Sequence, residues 1–227
     1  PPLVPRRWRY EVNERVGADG QIVEALDADS TLDLLERLQT ENFDAVAVCL
    51  LFSFLHPEHE ETLKKHLQEN LPGVDLSISS EVSPQFREYE RTSTTVVNAY
   101  VMPPIRRLVD QLETGIEKLA FRASLQVMQS NGGLMGTEET RRFPVRTLLS
   151  GPAGGVVGAV EIAKSSGLDN VIAMDMGGTS LDISLCQNRE LVLTTEGGIA
   201  GFPVQVPQVD VHTICLLYTS PSPRDRG

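Results

Sequence analysis

Positive charge is scarce in this chain of 227 residues: 20 lysines and arginines stand against 31 aspartates and glutamates, a formal net charge of −11. That deficit argues against nucleic acid or an anionic membrane as partner, since both are gripped through basic patches. Long apolar runs are also missing. Nothing approaches the length of a membrane span, and the opening PPLVPRRWRYEV has no signal-peptide pattern. Cysteine is sparse: Cys49, Cys186 and Cys215 lie far apart, without disulfide or metal-type spacing. Cys49 and Cys186 sit in apolar, strand-like runs and read as buried thiols, which fits a reducing cytoplasm. No Gly-Lys-Ser/Thr follows any glycine pair, so the chain carries no Walker loop.

Hydrophobic content of 41% and charged content of 22% are ordinary for a globular protein with a real core, in one large domain or two small ones. The chain begins without Met. After Ile214 its text changes to CLLYTSPSPRDRG, a segment without periodicity. Residues 215–227 are therefore expected to be a non-native tail, and the whole a fragment.

Val171 to Leu185, VIAMDMGGTSLDISL, holds the densest chemistry. An apolar run ends in Asp175. Gly177-Gly178 and the hydroxyls of Thr179 and Ser180 follow, and the chain resumes with period-two alternation through Asp182. That pattern predicts a β-hairpin. Glycines at its tip can take positive φ and expose backbone N–H groups to an anion. Carboxylates beside a phosphate imply a hard cation, so Asp175 and Asp182 point to Mg²⁺ and a nucleotide. An ordinary turn with strand-ending aspartates fits the same letters.

Upstream, Leu32, Leu35 and Leu38 recur at helical spacing with Ser30-Thr31 able to cap. Ala45 to Phe54 is a continuous apolar run, expected as a strand buried on both faces. Pro57 opens a charged helix to about Asn70, and Val74 to Ile78 reads as another strand. This order predicts an α/β unit with a parallel sheet. His56 and His59 are expected to face solvent rather than bind metal. Glu88 to Tyr100 reads as an exposed helix start, with Arg91 able to serve as an anion ligand. From Pro104 to Ala120 a second helix carries Ile105, Leu108, Leu112, Ile116 and Leu119 as a core stripe.

Gln129 to Gly133 follows a short strand, where open α/β sheets bind ligands, or is a simple turn. Ser150-Gly-Pro-Ala-Gly154-Gly155 opens a helix capped by Ser150. Its glycines either leave an anion site at the amino-terminus or allow close helix packing. Glu190 to Thr194 is expected as a strand. Asp210 and His212 fall on one side of a later strand, as a shared metal site, an acid/base pair or an ordinary hydrogen-bonded pair.

Taken together, six blocks resemble the ATP-dependent hydantoinase A / 5-oxoprolinase family, which includes acetone and acetophenone carboxylase-type subunits. They are VCLLFSFLHPEHE (48–60), EYERTSTTVVNAYV (88–101), VMQSNGGL (127–134), LLSGPAGGVVGA (148–159), MDMGGTSLDISL (174–185) and PVQVPQVDVHTI (203–214). The resemblance implies an actin-like ATPase (ribonuclease H-like) fold, incomplete, with the second of two phosphate hairpins present at 171–185. Residues 1–80 would then end the first lobe and 81–214 begin the second. It places Asp175, Gly177, Gly178 and Thr179 at the phosphates and Mg²⁺, with Asp182 orienting a water or the metal. The activity implied is ATP-driven opening of a cyclic amide, 5-oxoproline or N-methylhydantoin, with a hydantoinase B-type partner. The alternatives are an ATP-using ketone carboxylase subunit and a nucleotide-binding module without chemistry.

Overall fold

A computed structural model describes residues 2–120 and 123–215 and shows a mixed α/β chain. In order come β1 (Arg15–Val16), β2 (Ile22–Glu24), α1 (Ala28–Thr40), β3 (Ala45–Val48), α2 (Glu58–Asn70), β4 (Asp75–Ile78), α3 (Ser79–Val82) and α4 (Glu88–Lys118). There follow β5 (Gln126–Met128), β6 (Leu134–Gly136), α5 (Thr137–Arg142), α6 (Ser150–Ser165), β7 (Val171–Met176) and β8 (Ser180–Gln187). Short strands complete it: β9 (Glu190–Leu191), β10 (Leu193–Thr194), β11 (Gly197–Ile199), β12 (Phe202–Val204), β13 (Gln208–Val209) and β14 (Val211–Cys215). Of the tail expected at 215–227, only Cys215 lies within the described residues.

Two compact units emerge. One takes in the chain up to Ala123 with Glu138–Val145 and Glu196–Val206; the other holds Ser124–Thr137, Arg146–Thr195 and the chain from Pro207. This partition differs from a single break between residues 80 and 81, because α4 is tied back to β4. Ser77 Oγ donates to the Thr95 carbonyl at 3.1 Å, and Asn98 Nδ2 donates to Ser77 Oγ at 3.0 Å.

In the first unit, β3 and β4 pair in parallel, as the helix–strand order predicts, with Ala45 opposite Asp75 and Val48 opposite Ile78. Leu35 and Leu38 of α1 and Leu63 and Leu67 of α2 close a core with Val48, Leu76 and Ile78. The cap of α1 is Asp27, whose carboxylate accepts from the Ser30 amide at 2.8 Å; the expected cap, Ser30, donates its own hydroxyl to the Asp27 carbonyl instead.

The strand expected over Ala45–Phe54 stops at Val48. The Leu50 amide is taken by Glu60 Oε1 at 2.8 Å and its carbonyl accepts from Arg91 Nη2 at 2.8 Å, so neither is left for a ladder. Phe52, at φ 57°, then turns the chain.

Arg91 is not an exposed anion ligand. It is 1% exposed, donates also to Ser53 Oγ at 3.1 Å, and stacks over Phe54. Ser53 and Ser79 hydroxyls meet at 3.0 Å, and Ser79 donates to Glu60 at 2.6 Å, so two buried charges are joined through serines. A buried charge is tolerated only with such partners. His59 is likewise buried, its Nδ1 2.8 Å from Glu14 Oε2, where solvent exposure was expected.

The helix start at Glu88 is buried on Arg91, Thr94, Thr95 and Asn98, and α4 runs through Pro103-Pro104 as one helix. The expected stripe is largely bare: Leu108, Leu112 and Leu119 are exposed, and Met102, Pro103 and Val109 pack inside instead.

In the second unit, β7, β8 and β14 form an antiparallel sheet in the order β14-β8-β7, with β9 also on β8. The strand expected over Glu190–Thr194 is split at Val192, since β10 pairs β13 instead. Helix α6 packs Ala153 and Val156 with Val209 against Ala173, Leu191 and Val211. Gly167, at φ 73°, ends it, and the Leu168 amide donates back to the Ala163 carbonyl at 2.9 Å, a Schellman closure. On the sheet's other face Ile172, Met174 and Met176 are exposed.

Candidate functional site

The alternation of VIAMDM and SLDISL makes the hairpin, and its register is fixed from Val171 opposite Cys186 to Met176 opposite Leu181. Asp175 and Asp182 fall directly opposite each other. Direct partners in an antiparallel pair present their side chains on one face, here the face toward α6. The next strand extends the rung: Thr213 is opposite Asp182, and its Oγ1 donates to Asp182 Oδ1 at 2.6 Å. The three side chains share one row across three strands.

The tip is exposed from Asp175 to Thr179. Gly177 and Gly178 do not take positive φ, contrary to the sequence expectation. Gly177 spends its amide on the Ser180 carbonyl at 3.0 Å, closing the bend. The amides of Gly178 and Thr179 have no acceptor among the described residues. A Cβ added at Gly178 would meet nothing within 4 Å, so the glycine leaves open space rather than relieving a clash inside the chain. Ser180 is the first residue of β8, opposite Cys215.

In front of the rung lies a cleft of about 380 Å³, lined by Pro152, Gly155, Val156 and Ala159 of α6 and by Asp175, Asp182, Ser184 and Val211 among others. Gly155 brings bare backbone to this cleft, with nothing within 4 Å of an added Cβ. Gly154 is absent from the lining and approaches only Met128 Cε, at 4.0 Å. The amino-terminus of α6 has no side-chain cap: Ser150 is already helical, and the N-cap is Leu149. The Leu149 amide donates to Ser130 Oγ at 3.1 Å.

Ser130 defines what the Gln129–Gly133 turn does. It is 1% exposed, its amide donates to the Arg146 carbonyl at 2.6 Å, and its carbonyl accepts from Val209 at 2.7 Å. This residue is a strut between β5, α6 and β13. Asn131 Oδ1 holds the Gly133 amide at 2.8 Å, closing the turn on itself.

No hydrogen bond or ion pair joins Asp210 to His212 among the described residues. Asp210 falls between β13 and β14, its amide on the Val192 carbonyl at 2.8 Å and its carbonyl taken by Ser184 Oγ at 2.7 Å. His212 sits in β14 opposite Ile183 and so faces away from the Asp175–Asp182 row. Among the described residues no three His, Cys, Asp or Glu side chains could hold a metal together. Two carboxylates in one row remain. They suit Mg²⁺, which takes one or two protein carboxylates and fills its octahedron with water and phosphate oxygens. No basic side chain among the described residues is paired with either aspartate. Thr213 was missed because its place depends on the β8–β14 register, for which the sequence offers no local signal.

Comparison with known proteins follows the same segments. The hydantoinase/oxoprolinase family model matches residues 91–221, and that of the hydantoinase/oxoprolinase N-terminal region matches residues 1–71. The crystal structure of the ATP-dependent caprolactamase from Pseudomonas jessenii superposes with a TM-score of 0.86 at 33% identity, over 93% of this chain and 31% of that one. A nucleotide-free acetone carboxylase structure, from work on ATP-dependent acetone carboxylation, gives 0.80 at 27% identity, over 95% and 31%. The 5-oxoprolinase of Saccharomyces cerevisiae is 32% identical over 203 residues, 87% of this chain and 15% of the enzyme. The chain thus spans a third or less of these relatives.

Proposed function

Because the chain belongs to the hydantoinase/oxoprolinase family, we propose that it supplies part of the nucleotide grip of an ATP-dependent hydrolase that opens a cyclic amide of the 5-oxoproline or N-methylhydantoin type. The observation that carries this reading is the Asp175–Asp182 row facing an open cleft beside two uncommitted amides. The hairpin would serve as the second phosphate loop of an actin-like ATPase fold. Gly178, Thr179 and Ser180 would meet the phosphates, Gly155 would give them room, and Asp175 and Asp182 would hold Mg²⁺. That ion would neutralise charge on the transferring group. The γ-phosphoryl group would pass to the ring carbonyl oxygen with release of ADP; water would then add to the activated carbon, the ring C–N bond would break as the added water's proton passes to the ring nitrogen, and a second water would free inorganic phosphate from the acyl phosphate to leave a carboxylate. Such transfer depends mostly on positioning and charge neutralisation.

A hydantoinase B-type subunit would complete the active site, in the cytoplasm. No helix among the described residues is long and apolar enough to cross a membrane. The likeness to acetone carboxylase supports a second reading, an ATP-using subunit that phosphorylates a ketone for carboxylation.

The test is ADP release by the intact protein with its B-type partner across a panel of cyclic amides and ketones. Release coupled to ring opening of one amide is expected, and coupling to a ketone with bicarbonate selects the second reading. ADP release indifferent to every substrate overturns both.

A further inference from the structure

Asp182 is held differently from Asp175, although the two share a rung. A carboxylate offers two oxygens, and rotation about its last side-chain bond is loosely restrained. In Asp182 the Thr213 hydroxyl takes Oδ1 at 2.6 Å, a short charge-assisted bond from the opposite strand. Oδ2 has no hydrogen-bond partner among the described residues, and Asp182 lines the cleft. Asp175 has no such tether among the described residues. The hydroxyl comes from a β-branched side chain, restricted at χ1 and carried on a paired strand.

We propose that Thr213 is a positioning residue that leaves Asp182 a single free oxygen for the cation, so that the site selects Mg²⁺ over Ca²⁺. This rests on the reading of the hairpin as a Mg²⁺–nucleotide site. Ca²⁺ takes six to eight oxygens and accepts bidentate carboxylates in loose geometry, whereas Mg²⁺ demands a tight octahedron with single-oxygen ligands. With Oδ1 already accepting from Thr213, closure of both Asp182 oxygens on one ion is disfavoured. The discrimination therefore comes from the strand beside the hairpin.

The test compares wild type, Thr213→Val, Thr213→Ser and Asp182→Asn in the intact protein. Mn²⁺ binding is followed by electron paramagnetic resonance in the presence of a non-hydrolysable ATP analogue, with Mg²⁺ and Ca²⁺ as competitors. Thr213→Val keeps the branched shape and loses the hydroxyl. It is expected to weaken Mg²⁺ about tenfold, the lower end for losing a hydrogen bond to a metal ligand, while Ca²⁺ weakens less, so the Mg²⁺/Ca²⁺ preference falls. Thr213→Ser should restore the preference. A general packing defect would weaken both ions alike and would not be rescued by serine. An unchanged preference in Thr213→Val, with Asp182→Asn still abolishing Mn²⁺ binding, overturns the role of Thr213 alone. Absence of saturable Mn²⁺ binding in wild type overturns the metal reading itself.

Discussion

Asp175 and Asp182 stand opposite each other in the β7–β8 ladder with no cationic side chain paired to either among the described residues. Like charges in that relation cost about 0.2–1 kcal/mol. In EDTA, Asp175→Asn should therefore raise the melting temperature slightly. Calorimetry of the same variant should show a loss of Mg²⁺-dependent nucleotide binding. A variant less stable than wild type without metal would mean that the pair is not strained.

Gly155 sits in the body of α6, where glycine costs roughly 0.5–1 kcal/mol relative to alanine. With open space around the added Cβ, Gly155→Ala should gain stability of that order by urea titration. Gly155→Gln would fill the cleft and should weaken the nucleotide far more than alanine does. Equal nucleotide affinity in glutamine and wild type would remove this face of α6 from the site.

Gly132 behaves in the opposite way. It has φ 85°, and an added Cβ would lie 2.8 Å from Val157 Cγ2 and 2.9 Å from Leu191 Cδ1. Backbone strain and overpacking together should cost Gly132→Ala about 2–4 kcal/mol. Urea midpoints measure it, and a change below 1 kcal/mol (roughly the lower bound for either effect) would contradict the geometry.

Arg91→Met leaves the Leu50 carbonyl and the Ser53 hydroxyl without their donor in a buried place. A loss on the order of 3 kcal/mol is expected from two unmet groups. Phosphate affinity should be unchanged, which separates this structural arginine from an anion ligand.

Asp75 has its carboxyl pushed up by burial, with Arg106, 3.0 Å away, pulling the other way. A carboxyl raised on folding holds its proton more tightly in the native state. Its contribution is therefore most favourable below the ordinary carboxylate pKa and is lost as pH rises through the elevated one. The stability of Asp75→Asn relative to wild type should improve over that window. A flat difference across pH would place Asp75 in the ordinary range.

What was legible in the sequence was whatever depended on local pattern. The hairpin, the parallel β3–β4 unit and the glycine stop at Gly167 follow from periodicity and turn chemistry. The failures came where distant side chains replaced local partners. Ala45–Phe54 reads as one strand because its letters are apolar, yet Glu60 and Arg91 claim the backbone of Leu50 from outside the run. Arg91 reads as exposed because charge usually is. The row at the site was half visible: Asp175 and Asp182 are placed by a two-strand bend, and Thr213 enters only through a third strand. His212, one residue earlier, lands on the wrong face, since a single step along a strand reverses the side chain.

The double proline in α4 has a mechanical consequence. Pro103 and Pro104 supply no amides to the carbonyls of Ala99 and Tyr100, four residues before them. The 31-residue rod thus lacks two consecutive rungs of its hydrogen-bond ladder at this seam. Its front half is bolted to β4 by Asn98 and Ser77, while its rear half is held to β4, among the described residues, only near the seam, by Arg106 on Asp75, and carries bare leucines beyond it. Deuterium should enter the rear amides well before those ahead of the seam, so that one continuous helix unzips from its far end in two stages.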